Sequence, residues 1–293
     1  KNPLGTEPVG KLIVRYAVPS IISTVVNSLY NMVDQVFIGQ GVGYLGNAAT
    51  NVVFPLMTIV MALAQMLGDG AAAYMSLNLG KKKEEAAARG AANAMAASVF
   101  IGIILAVLFE IFMEPLCKLF GATENSLPYA MDYGRIVSLG YIFSCIATSY
   151  GGMIRADGRP KTSMVGLVVG RITNIILDPI FIFVLGMGAA GAAIATVIGN
   201  IGADLFFVFF LLTKSKRLSI NPKGFFISKR ELGDIFAIGI PASVTNFMQS
   251  LGIALTNRFL LVYGTDKVAS MGIVMKINMI AMLILVGFAF GSQ

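Results

Sequence analysis

Long apolar stretches alternate with short polar segments along almost the whole chain. Eight of these stretches are long enough to cross a bilayer, which takes about 20 mostly apolar residues in a helix. Their limits are Leu12–Gly39, Ala48–Leu79, Ala92–Leu116, Tyr129–Met153, Met164–Leu185, Ala189–Leu212, Ile235–Tyr263 and Val268–Gly291. The pattern predicts an all-α integral membrane protein with eight membrane-spanning helices.

The composition supports a membrane protein. Hydrophobic residues make up 56% of the 293 residues, charged residues only 13%, and the mean hydropathy is +0.79. A soluble domain carries about 25% charged residues. A soluble fold of this length could not bury so much apolar surface in one core, so the surplus must face lipid.

The basic residues predict the orientation of the chain. With the N-terminus in the cytoplasm, sixteen of the 22 Lys and Arg fall in inner segments and only Lys118 and Lys267 in outer ones. Arg135, Arg171 and Arg258 fall within the spans, as does Lys276. This asymmetry follows the positive-inside rule. We therefore expect a multi-pass protein of the cell membrane, a bacterial inner membrane, and no binding of nucleic acid despite the net charge of +7.

A polar, basic connection between the sixth and seventh spans predicts two lobes. We place a first lobe at residues 1–212, a linker at 213–234 and the start of a second lobe at 235–293. The segment Ala17-Val18-Pro19-Ser20 resembles Gly239-Ile240-Pro241-Ala242 in the seventh span. Internal duplication is common in secondary transporters, and this weak repeat suggests such a duplication.

Asp34 is the first candidate functional residue, since a carboxylate at membrane depth requires a cavity or a partner. Asn27, Asn31 and Asp34 are spaced to share one helix face, which Tyr30 borders. Pro19 removes a backbone hydrogen bond and favours a bend lower in the same helix. The polar face predicts a moving part of a transporter; the alternative is a structural hydrogen-bonding seam.

The fifth span contains a second acidic position. Asn174 and Asp178 share a face, and Pro179 follows directly. Pro179 disfavours ideal helix geometry at Asp178. Arg171 lies one turn earlier, where it could pair with a buried carboxylate or close a structural ion pair.

Polar residues also mark the sixth span. Thr196 and Asn200 share a face there, in a segment rich in Gly and Ala that favours close helix packing. We assign Asn27, Asn31, Arg171 and Asn200 to a substrate cavity. Other acids at or near membrane depth, Asp69, Glu110 and Asp204, rank below Asp34 and Asp178.

The sequence offers little for an enzyme or a bound cofactor. It contains no His and only two Cys, and we find no catalytic motif of a hydrolase or metalloprotease. The GxGxxG at residues 41–46 follows a membrane helix rather than a strand, so we reject a dinucleotide site. Without His, proton coupling would depend on carboxylates.

Several motifs in order resemble the multidrug and toxic compound extrusion (MATE) transporters. They are Asp34-Gln35-Val36-Phe37-Ile38-Gly39, Gly68-Asp69-Gly70-Ala71-Ala72, Phe120-Gly121-Ala122-Thr123, Arg155-Ala156-Asp157-Gly158-Arg159-Pro160-Lys161, Asn174-Ile175-Ile176-Leu177-Asp178-Pro179 and the segment 188–196. The resemblance implies two six-helix lobes, of which this chain holds the first and two helices of the second. It also implies export of cationic, amphipathic organic compounds in exchange for H⁺ or Na⁺, with no other cofactor, by a monomer surrounded by lipid.

The resemblance further implies roles for single residues. Tyr30, Asp34, Asn174, Asp178 and Thr196 match positions for cation coupling, and Pro19 and Pro179 match positions for helix bending. If the ion is Na⁺, Asp34, Asn174, Asp178 and Thr196 are the expected ligands. Arg171 departs from the family pattern and leaves the choice of ion open. The alternative function is a flippase for lipid-linked precursors from the same superfamily, which would need a large basic cavity.

Overall fold

The computed structural model describes residues 8–214 and 228–261, together with the isolated positions Leu285 and Ala289. Within these residues the chain is helical. The α-helices are α1 Val9–Gly41, α2 Tyr44–Gly80, α3 Glu84–Leu119, α4 Leu127–Leu139, α5 Tyr141–Ala156, α6 Pro160–Pro179, α7 Gly188–Lys214 and α8 Lys229–Leu261. A π-helical turn, Ile180–Val184, follows α6. The predicted all-α architecture is confirmed.

Helices α1, α2, α3 and α7, and α6 with its π-helical turn, are each long and apolar enough to cross a membrane. They coincide with predicted spans one, two, three, six and five. Helix α8 coincides with the seventh predicted span but is not among these five. The eighth predicted span, Val268–Gly291, lies outside the described residues apart from the two isolated positions.

The fourth predicted span is broken in two. Helices α4 and α5 meet at Gly140 with a bend of 50°, and together they are long and apolar enough to cross the membrane once. Gly140 packs so closely on α7 that an added Cβ would lie 2.5 Å from Cγ2 of Val197. The bend therefore occurs where a glycine lets another helix approach the backbone.

The two prolines predicted to bend helices have different surroundings. Helix α1 continues through Pro19, whose carbonyl accepts a hydrogen bond of 3.0 Å from the Ser23 hydroxyl. Pro179 ends α6 and begins the change to the π-helical turn. Such turns are common beside functional sites.

Lipid-facing surface surrounds the bundle. Large apolar side chains on α3 and α7 are exposed, among them Phe100, Phe112, Leu205 and Phe209. Exposed apolar area of this extent is unfavourable in water and favourable against hydrocarbon. The surface fits a multi-pass membrane protein.

Helix α8 packs against α2 and α3. Close approach to α2 occurs at Gly70, next to Ile235, and at Gly239, next to the Met66 carbonyl. The buried Asn93 of α3 donates from its amide to the Glu231 carboxylate and accepts a 3.0 Å hydrogen bond from the backbone N–H of Ser228. The lobe boundary at residues 213–234 stays a prediction.

Helices α6 and α7 touch through glycines. An added Cβ at Gly199 would lie 2.6 Å from the Gly170 carbonyl oxygen, and one at Gly170 would lie 2.7 Å from the Gly199 carbonyl oxygen. Such contact is typical of helix pairs packed through small residues. This contact sets the distance between Asn174 and Thr196, which lie one turn away from the glycines on α6 and α7.

We expect Gly199→Ala to destabilise the protein by about 1–3 kcal/mol, because the new methyl group would push α7 away from α6. The measurement is thermal unfolding in detergent. Gly202→Ala on the same helix is the control, since its Cβ would meet its nearest atom at an ordinary 3.7 Å. Equal stability of the two variants would contradict the close-contact interpretation.

Candidate ion-coupling site

The two acidic residues singled out by the sequence lie together inside the bundle. Asp34 comes from the C-terminal half of α1, and Asp178 from the last turn of α6. Asp34 is 4% exposed and Asp178 is fully buried. Their carboxyl groups lie close enough to interact electrostatically, and Asp34 also faces the Gln35 side chain. Two buried carboxylates so near each other repel, which favours a proton or a cation on the pair.

Asn174 and Thr196 complete this cluster. Both are buried, and the Asn174 amide donates a hydrogen bond of 3.2 Å to the Thr196 hydroxyl. Asn174 lies one turn before Asp178 on α6, and Thr196 lies in the third turn of α7. Three helices thus bring two carboxyl groups, an amide and a hydroxyl to one place, which we call the acid cluster (Asp34, Asn174, Asp178, Thr196).

The acid cluster has more buried acceptors than donors. Oδ1 of Asp34, both carboxylate oxygens of Asp178 and Oδ1 of Asn174 have no hydrogen-bond partner. Buried acceptors without donors are costly, and ionised carboxylates are the most costly. A proton on one carboxyl group would supply a donor, and a small cation such as Na⁺ would draw the same oxygens as ligands. The donor set fits either ion.

Tyr30 borders the acid cluster. It is 5% exposed, lies one turn before Asp34 on α1, and its hydroxyl faces Thr196. Tyr133 of α4 also faces Asp34 and Asp178. The sequence analysis did not single out Tyr133, because one Tyr in an apolar span carries no periodic signal.

Arg171 does not form the predicted ion pair. Its guanidinium carbon lies 4.8 Å from the ring centroid of Tyr30, a cation–π contact. Among the described residues it makes no salt bridge to Asp34 or Asp178. Arg171 is therefore a positive charge placed beside the acid cluster rather than inside it.

A cavity of about 200 Å³ lies next to the acid cluster. Tyr30 and Thr196 line both the cluster and the cavity, together with the predicted cavity residues Asn27, Asn31, Arg171 and Asn200. Most of the other lining residues are apolar, including Phe54, Met57, Val60 and Met61. Apolar walls with a few polar groups suit an amphipathic organic ligand.

The predicted polar face of α1 divides in the structure. Asp34 points into the bundle, whereas Asn31 is exposed and donates from its amide to the Asn27 carbonyl of its own helix at 2.7 Å. Asn27 lines the first cavity and a second one of about 270 Å³ toward Asp69 and Arg155. Asp34 of this helix face thus belongs to the acid cluster, whereas Asn27 lines the two cavities.

Comparison with known proteins agrees with this geometry. The family model described as MatE matches residues 19–180, more than half of the chain. The chain belongs to the MATE family. The resemblance seen in the motifs is therefore confirmed, and the curated relatives are named as export proteins rather than as enzymes.

Individual MATE relatives align over nearly all of this chain. The multidrug export protein MepA of Staphylococcus aureus is 30% identical over 284 residues, which are 97% of this chain and 63% of MepA. The chain therefore spans less than two thirds of the length of that relative.

Solved MATE structures have the same fold. A MOP superfamily transporter from Pyrococcus furiosus, described as having a binding pocket of reversed polarity, superimposes with a TM-score of 0.88 at 28% identity. It is matched over 96% of this chain and 62% of its own. A MATE structure in the bent conformation gives 0.90 at 28% identity, over 96% and 63%.

Proposed function

We propose that this chain belongs to an ion-coupled antiporter that exports cationic, amphipathic organic compounds across the cell membrane. The single observation that carries the proposal is the acid cluster. Its buried acceptor oxygens have no donors in the described part of the chain, and Thr196 of the cluster also lines the adjacent apolar cavity. Such a cluster binds a cation or proton in one state and releases it in another.

The coupling follows from charge. When Asp34 and Asp178 bind a proton or Na⁺, their net negative charge falls and the attraction for a cationic compound in the adjacent cavity weakens. When the ion leaves, the attraction returns. An exporter that binds ions from outside and substrate from inside therefore exchanges one for the other by alternating access.

Helix α1 is the element best placed to move. It carries Tyr30 and Asp34, contains Pro19, and packs on α6 beside Asp178. A MATE relative is described in a bent conformation, which supports a change in helix shape. We propose that ion binding at Asp34 alters the packing of α1 on α6, with the N-terminus in the cytoplasm.

A vesicle assay tests this function. The full-length transporter is reconstituted into proteoliposomes, and ethidium movement is followed by fluorescence under a proton gradient alone or a sodium gradient alone. We expect movement of ethidium against its gradient with one of the two. If ethidium moves as fast without any ion gradient as with one, ion coupling is contradicted and the movement is passive.

A flippase for lipid-linked precursors is the second candidate, since Arg155 and Arg171 both line the second cavity. Arg135 does not support it, because it is exposed and lies 3.6 Å from Glu110. The side chain of Arg258 is outside the described residues. The acid cluster favours the antiporter.

A further inference from the structure

Helix α7 carries a polar face that continues beyond the acid cluster. Thr196, Asn200 and Asp204 are spaced four residues apart, so each lies about 6 Å further along the helix. Thr196 belongs to the acid cluster and Asn200 lines the adjacent cavity. Asp204 comes next, toward the end of α7 that we place at the cytoplasm.

Asp204 is buried without a hydrogen-bond partner. It is 7% exposed, and neither of its carboxylate oxygens accepts a hydrogen bond. It faces Cys145 and Tyr150 of α5, which are 0% and 3% exposed. The Tyr150 hydroxyl also has no partner, and its ring lies 6.5 Å from that of Phe207.

In the part of the chain that the structure describes, no positive charge near Asp204 compensates for its burial. On the other helices packed against α7, Arg171 of α6 lies on the Tyr30 ring, and Tyr133 of α4 faces the acid cluster. At the level of Asp204, α6 contributes the glycines Gly166 and Gly170. Among the described residues, no Lys or Arg forms a salt bridge with Asp204.

The surroundings of Asp204 select a proton rather than a metal ion. An ionised carboxylate here would have neither a donor nor a counter-ion, whereas a protonated carboxyl group can itself donate to a nearby oxygen. Na⁺ needs several oxygen ligands, and the buried thiol of Cys145 is a poor ligand for a hard cation. The described residues hold no group of three or more acidic, Cys or His side chains suited to a metal.

We propose that Asp204 is a second proton-binding site, separate from the acid cluster and joined to it by the polar face of α7. Proton binding at Asp204 does not depend on the proposed antiport. Its use in transport does rest on that function: the proton would leave toward the cavity past Asn200 as the helices rearrange. The two claims need separate measurements.

Infrared spectroscopy of the purified full-length transporter tests proton binding. In sodium-free buffer at neutral pH, we expect the C=O stretch of protonated carboxyl groups in the wild type, and loss of the contribution of Asp204 in Asp204→Asn. Asp132→Asn, which removes an exposed carboxyl group, should leave the band unchanged. No difference at Asp204→Asn, or loss of the Asp204 band on adding NaCl, would overturn the proposal. If Asp204→Asn folds poorly, Asp204→Glu should retain a shifted band.

Proton release on substrate binding tests the role in transport. Tetraphenylphosphonium is added to the full-length protein in weakly buffered detergent with a pH indicator. We expect Asp204→Asn to release fewer protons than the wild type, and Asp34→Asn to lose a separate share. Release by Asp204→Asn equal to the wild type would overturn the transport role. If Asp34→Asn releases as many protons as the wild type while Asp204→Asn releases fewer, the result would count against the function proposed for the acid cluster.

Discussion

Asp34→Asn should abolish gradient-driven export by the full-length transporter while leaving the protein folded. Asn has nearly the same shape as Asp but cannot bind and release a proton, and it brings no negative charge to a Na⁺ site. Its amide can donate to the neighbouring Asp178 carboxyl group, which has no other donor among the described residues. The substitution therefore fixes the acid cluster in a state like the ion-bound one.

The assay is ethidium movement in proteoliposomes under the gradient that drives the wild type. Ethidium binding in detergent, measured by fluorescence, shows whether the cavity remains intact. Asp132→Asn is the matched control, because it makes the same chemical change at an exposed residue of α4. Export at the wild-type rate by Asp34→Asn would show that coupling does not depend on this carboxyl group.

The sequence was most informative where a single physical rule decides the outcome. Hydropathy located the apolar part of the helices, because a lipid-facing helix must be apolar where it crosses the bilayer; α3 and α8 begin eight and six residues before the predicted spans, in polar segments. The cost of a carboxyl group at membrane depth singled out Asp34 and Asp178. The structure places the two side chains in contact, although 144 positions separate them in the sequence.

Features that depend on contacts between helices could not be predicted in this way. The bend at Gly140 reflects the approach of Val197 from another helix, and the fourth apolar stretch reads as one continuous span. For Arg171 the sequence left open a pairing with a buried carboxylate or a structural ion pair, and in the structure its guanidinium lies on the Tyr30 ring. Spacing along a helix tells which residues share a face, but it does not tell which neighbour that face meets.

The surroundings of Asp204 likewise could not be predicted from the sequence. Ranked by sequence alone it lies below Asp34 and Asp178. Its significance comes from the partners it lacks in the folded protein, on α5 and α6 as well as on α7. Such an absence is a property of packing, which a one-dimensional pattern does not contain.

Asp178→Asn should make the protein more stable even though it disables transport. In the wild type, Asp178 is fully buried and neither of its oxygens has a donor. An Asn amide at this position can donate to Asp34 and removes one of two adjacent acidic groups. Since leaving a buried polar group unpaired costs about 1–3 kcal/mol, we expect a gain of this order in the free energy of unfolding.

The gain should grow with pH. At acidic pH both carboxyl groups of the wild type hold protons, so little separates it from the variant. As pH rises, the wild type must either keep a proton against the solution or bury a second negative charge, and both lower its stability relative to the unfolded state. Thermal unfolding in sodium-free detergent across a pH series measures this, with Asp132→Asn expected to track the wild type throughout. A variant less stable than the wild type at every pH would show instead that donors hold the Asp178 carboxylate as a structural group. A gain that widens with pH, together with lost export, would mean that the carboxyl pair persists despite its effect on stability because ion exchange requires it.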